Sequence, residues 1–125
     1  MKIILDTHIF LWAISAPGKL SDKKRFEIEA RSNTIFVSAM SIAELMIKSS
    51  IGKLQVDFDP NQLVNESGFE LLAFGARDAL WLKELPFHHK DPFDRMLIAQ
   101  ALENKYTLMT EDPMFKLYGC KLICE

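Results

Sequence analysis

The apolar residues of this chain fall into short runs separated by polar, turn-forming positions. Ile3-Ile4-Leu5 is rich in β-branched side chains and shows no polar alternation, the pattern of a strand covered on both faces. The run stops at Asp6-Thr7. Ile9, Phe10, Leu11, Trp12 and Ile14 follow at helical density until Pro17-Gly18 breaks the helix. Leu20-Ser21-Asp22 opens a second, charged helix that reaches about Arg31. Thr34-Ile35-Phe36-Val37 reads as a second buried strand, and Ser38 ends it and can cap a helix from about Met40 to Ser49. Gly52 and Pro60 punctuate a loop or short helix. Gly68 to Leu72 reads as a third strand, Ala76 to Leu85 as a helix, and Pro86 through Lys90 as a polar loop. Asp91-Pro92 has the signature of an N-cap followed by proline at the first helical position. The stripe Phe93, Met96, Leu97, Ala101, Leu102 extends that helix to about Asn104. Tyr106 to Met109 reads as a fourth strand, Asp112-Pro113 opens a short helix to about Tyr118, and Lys121 to Cys124 reads as a last, edge strand.

Short apolar strands alternating with helices imply βαβ units. The expected fold is therefore α/β, three-layered, with a mostly parallel central sheet of four to five strands flanked by helices. No repeat, low-complexity tract or Pro/Gly-rich linker interrupts the chain, so one domain over residues 1–125 is expected. At 125 residues, with 49% hydrophobic and 26% charged positions, the composition is that of a folded protein and argues against disorder. No apolar run approaches the ~18 residues of a membrane span. The amino terminus reaches an acid at Asp6 without the longer apolar stretch of a secretory signal. Cys120 and Cys124 make neither a disulfide framework nor a CxxC metal pair, so a cytoplasmic setting and no membrane partner are expected. The formal charge of −2 supplies no global field for nucleic acid, and any such binding must come from local basic clusters or metal ions.

Candidate chemistry lies in the acids. Asp6 follows the first strand, where an acid serves equally as a helix N-cap. Asp94 lies in the first turn of the helix opened by Asp91, where it complements the helix dipole. Asp112 precedes a proline, an ordinary helix start. Glu44 stands out, because it interrupts the apolar stretch Ser41 to Ile47. Lys48 is its ordinary i+4 partner, yet Met40 and Ile47 flank it on its own face, and a partly buried carboxylate needs a cation. If the first strand is central, Asp6, Glu44, Asp94 and Asp112 reach one crevice at the carboxyl ends of the strands. Crowded carboxylates raise one another's pKa unless divalent cations sit among them, and hard ions such as Mg²⁺ or Mn²⁺ suit an all-carboxylate site. Such ions can activate water for in-line attack on a phosphodiester, chemistry that needs no nucleophilic Ser or Cys.

Four ordered segments carry a resemblance: Leu5-Asp6-Thr7-His8, Ser38 to Leu45, His89 to Ala101 with its run DPFDRMLIAQA, and Thr110 to Phe115. Together they resemble the PIN-domain family of metal-dependent ribonucleases, and within it the VapC-type toxins of type II toxin–antitoxin pairs. The resemblance spans essentially the whole chain. It implies a PIN-like fold, a Mg²⁺ or Mn²⁺ site and endonucleolytic cleavage of RNA. Carried over by position, the catalytic and metal-binding acids are Asp6, Glu44, Asp94 and Asp112. Asp94 is preferred to Asp91 because it stands before Arg95 to Ala101 at the family's spacing. The last acid is the family's most variable, leaving Asp112 either a direct ligand or a support for one. A homodimer and a cognate antitoxin whose tail enters the site are also implied.

Other positions have two readings each. Lys19, Lys23, Lys24 and Arg25 form a solvated basic face or a surface for RNA phosphates. Gly52-Lys53 and His88-His89-Lys90 are loop segments that can border the crevice, and the two histidines are expected to be exposed polar residues rather than metal ligands, having no His/Cys partner set. Arg95 either meets a phosphate or pairs with an acid. Thr110 is a strand-end hydroxyl or the holder of a metal-bound water. Phe10, Trp12, Trp81 and Phe87 are expected mostly in the core, with Phe10 and Trp12 also available to a partner. Two other functions compete with the nuclease. A phosphoacceptor signalling domain wants paired acids after the first strand and a lysine after the last, but Thr7 follows Asp6 and Lys121 begins the last strand. A non-catalytic PIN-like binding module has no need of four intact acids.

Overall fold

Alternating buried runs and helices produce the expected parallel sheet. The computed structural model describes residues 1–125. In chain order the elements are β1 (Lys2–Leu5), α1 (Thr7–Ser15), a 3₁₀ turn (Pro17–Lys19), α2 (Asp22–Glu29), β2 (Thr34–Ser38), α3 (Ala39–Ser50), α4 (Pro60–Glu66), β3 (Glu70–Leu72), α5 (Ala76–Glu84), α6 (Pro92–Asn104), β4 (Thr107–Met109), a second 3₁₀ segment (Pro113–Tyr118) and β5 (Leu122–Ile123). The strands run in the order β3-β2-β1-β4-β5, and every pairing is parallel. β1 is central, with Leu5 in register with Val37 on one side and Met109 on the other.

Period-two alternation along the central strand feeds two cores. Ile3 and Leu5 pack with Ile9, Phe10, Leu45 and Val64 on one face; Ile4 packs with Leu97, Ile98, Leu108 and Phe115 on the other. A buried polar pin joins sheet to helix: the Ser38 hydroxyl meets Gln100 Oε1 at 2.5 Å, and Gln100 Nε2 donates to the Ala73 carbonyl at 3.2 Å. Ser38 also caps α3 by accepting from the Met40 N–H.

Departures from expectation have local causes. α2 ends at Glu29, two residues early. The segment between Gly52 and Pro60 is loop, and the short helix starts at Pro60 on an Asp59 cap. Phe87 is not core: it is 81% exposed, its ring stacked on the Arg95 guanidinium at 4.1 Å. Arg95 is itself buried and pairs with no acid. Its guanidinium donates to the carbonyls of Leu82, Leu85 and Pro86, tying α6 to the loop that precedes it. Lys24 leaves the basic face altogether. It is 1% exposed, its ammonium 2.8 Å from Glu111 Oε1 and 2.7 Å from the Cys124 carbonyl. A buried ammonium requires such partners.

Candidate active site

Ligand crevices in open parallel sheets form where strand order reverses, and here it reverses at β1. Asp6 leaves β1 at that point. Its N–H donates to the Met109 carbonyl at 3.0 Å, stitching the loop after β1 to the end of β4. Its Oδ1 accepts the Ile9 N–H at 2.8 Å, so the capping role is real. Asp6 nevertheless lines an open cleft. Burial pushes its carboxyl above the ordinary value, against hydrogen bonds from the Thr110 hydroxyl and the Ile9 N–H. Thr110 is fully buried, placed between Asp6 and the Asp112 N–H at 3.1 Å. Its hydroxyl orients acids rather than facing open solvent.

Glu44 reaches the same cleft from α3. Ser41, Glu44, Leu45 and Lys48 share one helical face at i, i+3, i+4 and i+7, and the first three are buried. Ile47, expected to wall Glu44, is 49% exposed, and the pocket walls come from Thr7 and Ser41 instead. Glu44 Oε1 lies 2.7 Å from the Thr7 hydroxyl, which also lies 3.0 Å from Ser41 Oγ. Thr7 has one proton, which goes to the carboxylate, and the Ser41 hydroxyl donates to Thr7. Glu44 Oε2 accepts the Lys48 ammonium at 2.5 Å.

Asp94 enters from the first turn of α6. Asp91 caps that helix through the Phe93 N–H at 2.8 Å, and both acids line the cleft. Burial, then the charge of Asp91, then those of Glu44 and Asp6, push the Asp94 carboxyl from 3.8 to about 6, against the pull of His89. Asp112 comes from the end of β4. Its Oδ1 accepts the Met114 N–H at 2.9 Å and its Oδ2 meets His89 Nε2 at 2.7 Å. Burial alone would raise its carboxyl, but those hydrogen bonds and the His89 charge hold it below the ordinary value. His89 is not exposed as expected. Its side chain is 9% accessible, and Nδ1 lies 2.9 Å from the Tyr118 hydroxyl.

All four sequence-selected acids therefore border one cleft of about 430 Å³. Asp91 and Glu111, which sequence reasoning assigned to capping or passed over, line it too. Asp91 was legible in principle, three residues before Asp94 on the same helical turn. Glu111 had no sequence signal beyond its place in the Thr110 to Phe115 segment, whereas the loop carrying His89 was expected at the border of the crevice without a role for the imidazole. No three acid, histidine or cysteine side chains are already drawn together as a ligand set. Glu44 is turned to Thr7 and Lys48, and Asp112 to His89. The donors are carboxylate oxygens, the chemistry of a hard dication, and the raised carboxyls of Asp6 and Asp94 are those of acids short of positive charge.

The family model for the PIN domain matches residues 3–119. The chain belongs to the PIN-domain family. PIN domains are typically nucleases that use divalent metals. Among solved structures, the PIN fold seen here is similar to that of VapBC2 from Rickettsia felis bound to a DNA fragment from their promoter, at 26% identity and TM-score 0.73 over 98% of both chains. DNA-bound VapBC from Salmonella typhimurium is similar at 18% identity and TM-score 0.71, over 98% of this chain and 97% of that one. FitAcB from Neisseria gonorrhoeae is similar at 17% identity and TM-score 0.67, over 97% and 96%. Among curated proteins none is significantly similar. No helix is long and apolar enough to cross a membrane.

Proposed function

We propose that this PIN-family chain, acting as one domain over residues 1–125, is a metal-dependent endoribonuclease and the toxin of a toxin–antitoxin pair in the cytoplasm. The observation that carries the reading is the convergence of Asp6, Glu44, Asp94 and Asp112 on one cleft at the carboxyl ends of β1 and its neighbours. In this reading those four acids hold Mg²⁺ or Mn²⁺. A dication held by those acids would supply activation of water and charge stabilisation for phosphodiester cleavage. The chain's own groups set the geometry. Ile9 N–H and Thr110 hold Asp6, Thr7 holds Glu44, and Met114 N–H and His89 hold Asp112. Asp94, whose carboxyl is raised to about 6 and which accepts no hydrogen bond from the chain's other groups, is an acid whose ionisation a dication favours.

Likeness to the VapBC and FitAcB assemblies supports a protein antitoxin as partner. Met46, Ile47 and Ile51 are exposed at the end of α3 and offer an apolar face to a second copy in a homodimer. Purified protein incubated with single-stranded and structured RNAs, with Mn²⁺ or with EDTA, tests the activity. Cleavage is expected only with the metal and is expected to vanish in Asp6→Asn; cleavage that survives either change sinks the mechanism. One observation favours a second reading, a non-catalytic binding module: the acids are not drawn together as a ready ligand set. Absence of Mn²⁺ uptake at millimolar levels in calorimetry puts that reading first.

A further inference from the structure

Lys48 is the only lysine bordering the acidic cleft, facing six acids. Its ammonium takes Glu44 Oε2 at 2.5 Å while Thr7 takes Oε1, so both oxygens of Glu44 are engaged. Asp91 and Asp94 line the same cleft, so the Lys48 ammonium faces their carboxyl groups as well as the one it donates to. Its side chain is 37% accessible and unbranched, so the charged end can swing without disturbing the core. A second groove of about 180 Å³ shares Thr7, His8, Glu44 and Lys48 with the acidic cleft and adds Lys53. That groove is where an ammonium repelled from Glu44 finds open space.

We propose that Lys48 is the cleft's resident counter-ion and exchanges partners: it neutralises Glu44 in the metal-free protein and, displaced when a dication binds there, contacts a phosphate of the RNA strand beside the reacting one. The inference rests on the metal-dependent ribonuclease reading. A dication on Glu44 and an ammonium on the same carboxylate repel, so each weakens the other's hold. On the groove side, Lys48, Lys53 and His8 form a basic edge to an otherwise acidic site, which suits a single-stranded backbone entering it.

The two halves predict opposite signs for one substitution. Lys48→Met is expected to bind Mn²⁺ roughly tenfold more tightly in calorimetry without RNA, the scale of one charge-assisted hydrogen bond removed from competition. The same variant at saturating Mn²⁺ is expected to show a KM for single-stranded RNA raised roughly tenfold. Its dependence of log KM on log salt should flatten by about 0.7, the signature of one lost phosphate contact. Lys48→Arg, which keeps the charge, should restore KM and return Mn²⁺ affinity to near the wild-type value. Lys48→Gln replaces the Met variant should that one fail to fold. A lysine that only braces α3 predicts a lower Tm with no gain in Mn²⁺ affinity and no change in salt slope. Mn²⁺ binding no tighter than wild type, or an unchanged KM and slope, overturns the exchange. If the wild-type protein takes up no Mn²⁺, the metal reading fails and this inference with it. If wild type binds metal and cleaves RNA while the charge-free variants match it, only the exchange fails.

Discussion

At the scale of single residues, Asp94 carries the clearest electrostatic signature. Its folded-state pKa, about 6 against an ordinary 3.8, is raised by burial and by neighbouring acids. A raised carboxyl keeps its proton longer in the folded than in the unfolded chain, so metal-free stability falls as pH rises from about 4 through about 6. Allowing for solvent screening at this half-exposed group, the loss is on the order of 1–2 kcal/mol. Asp94→Asn should therefore gain stability over wild type in EDTA, more at neutral pH than near about pH 4. Thermal melts at the two pH values check it, and a difference that does not grow with pH counts against the crowding. Asp112 has the opposite sign. Its lowered carboxyl adds stability above its ordinary pKa, and that contribution is lost as pH falls through the folded value. His89→Ala removes that carboxylate's partner and orphans the Tyr118 hydroxyl, so it should cost about 1–3 kcal/mol in denaturant unfolding.

Whole elements add constraints that no residue shows alone. Asp91 both caps α6 and crowds Asp94. Asp91→Ser keeps a capping oxygen but removes the charge, so it should lower the Asp94 pKa, read by NMR titration, with little loss of stability. Asp91→Ala should lower that pKa too, at a cost of about 1 kcal/mol for the lost cap. The buried Lys24 joins α2, the end of β4 and the β5 exit through Glu111 and the Cys124 carbonyl. Glu111 is 45% accessible, so it can turn to water if its partner is removed, whereas Lys24 cannot. Glu111→Ala should thus destabilise by on the order of 3 kcal/mol, more than Lys24→Met. Equal losses would show that the ammonium is satisfied by the carbonyl alone. The elements themselves were legible where the pattern was strong. α6 runs from Pro92 to Asn104 as its cap and proline predict, because those signals act within the helix they start. The end of α2 and the 51–59 segment were not, because helix ends depend on neighbours that local sequence does not contain.

On the scale of the whole molecule, burial and crowding of the acids carry an electrostatic cost, which a dication would relieve under the proposed function. Saturating Mn²⁺ at about a hundred times its Kd should add ~2.7 kcal/mol, roughly 10 °C in Tm for a chain of this size. The shift should disappear in Asp6→Asn, and a Tm indifferent to Mn²⁺ in the wild type removes the support for a metal centre.

The acids themselves, their order along the chain and their places — Asp6 and Asp112 after strands, Asp94 at a helix start, Glu44 inside a helix — were set by sequence alone, because capping and hydrophobic periodicity are local. Burial was not. Lys24 and Lys23 are neighbours in a charged helix, and only the approach of Glu111 and of the Cys124 carbonyl to α2 decides that one is sealed and the other exposed. The pairing of His89 with Asp112, the turning of Glu44 toward Thr7, and the crowding of Asp94 by Glu44 and Asp6 also came from the assembled sheet. Each joins segments distant in sequence or depends on how water is excluded between them. Electrostatics in a cleft follows from distances through space, and only the order β3-β2-β1-β4-β5 supplies those.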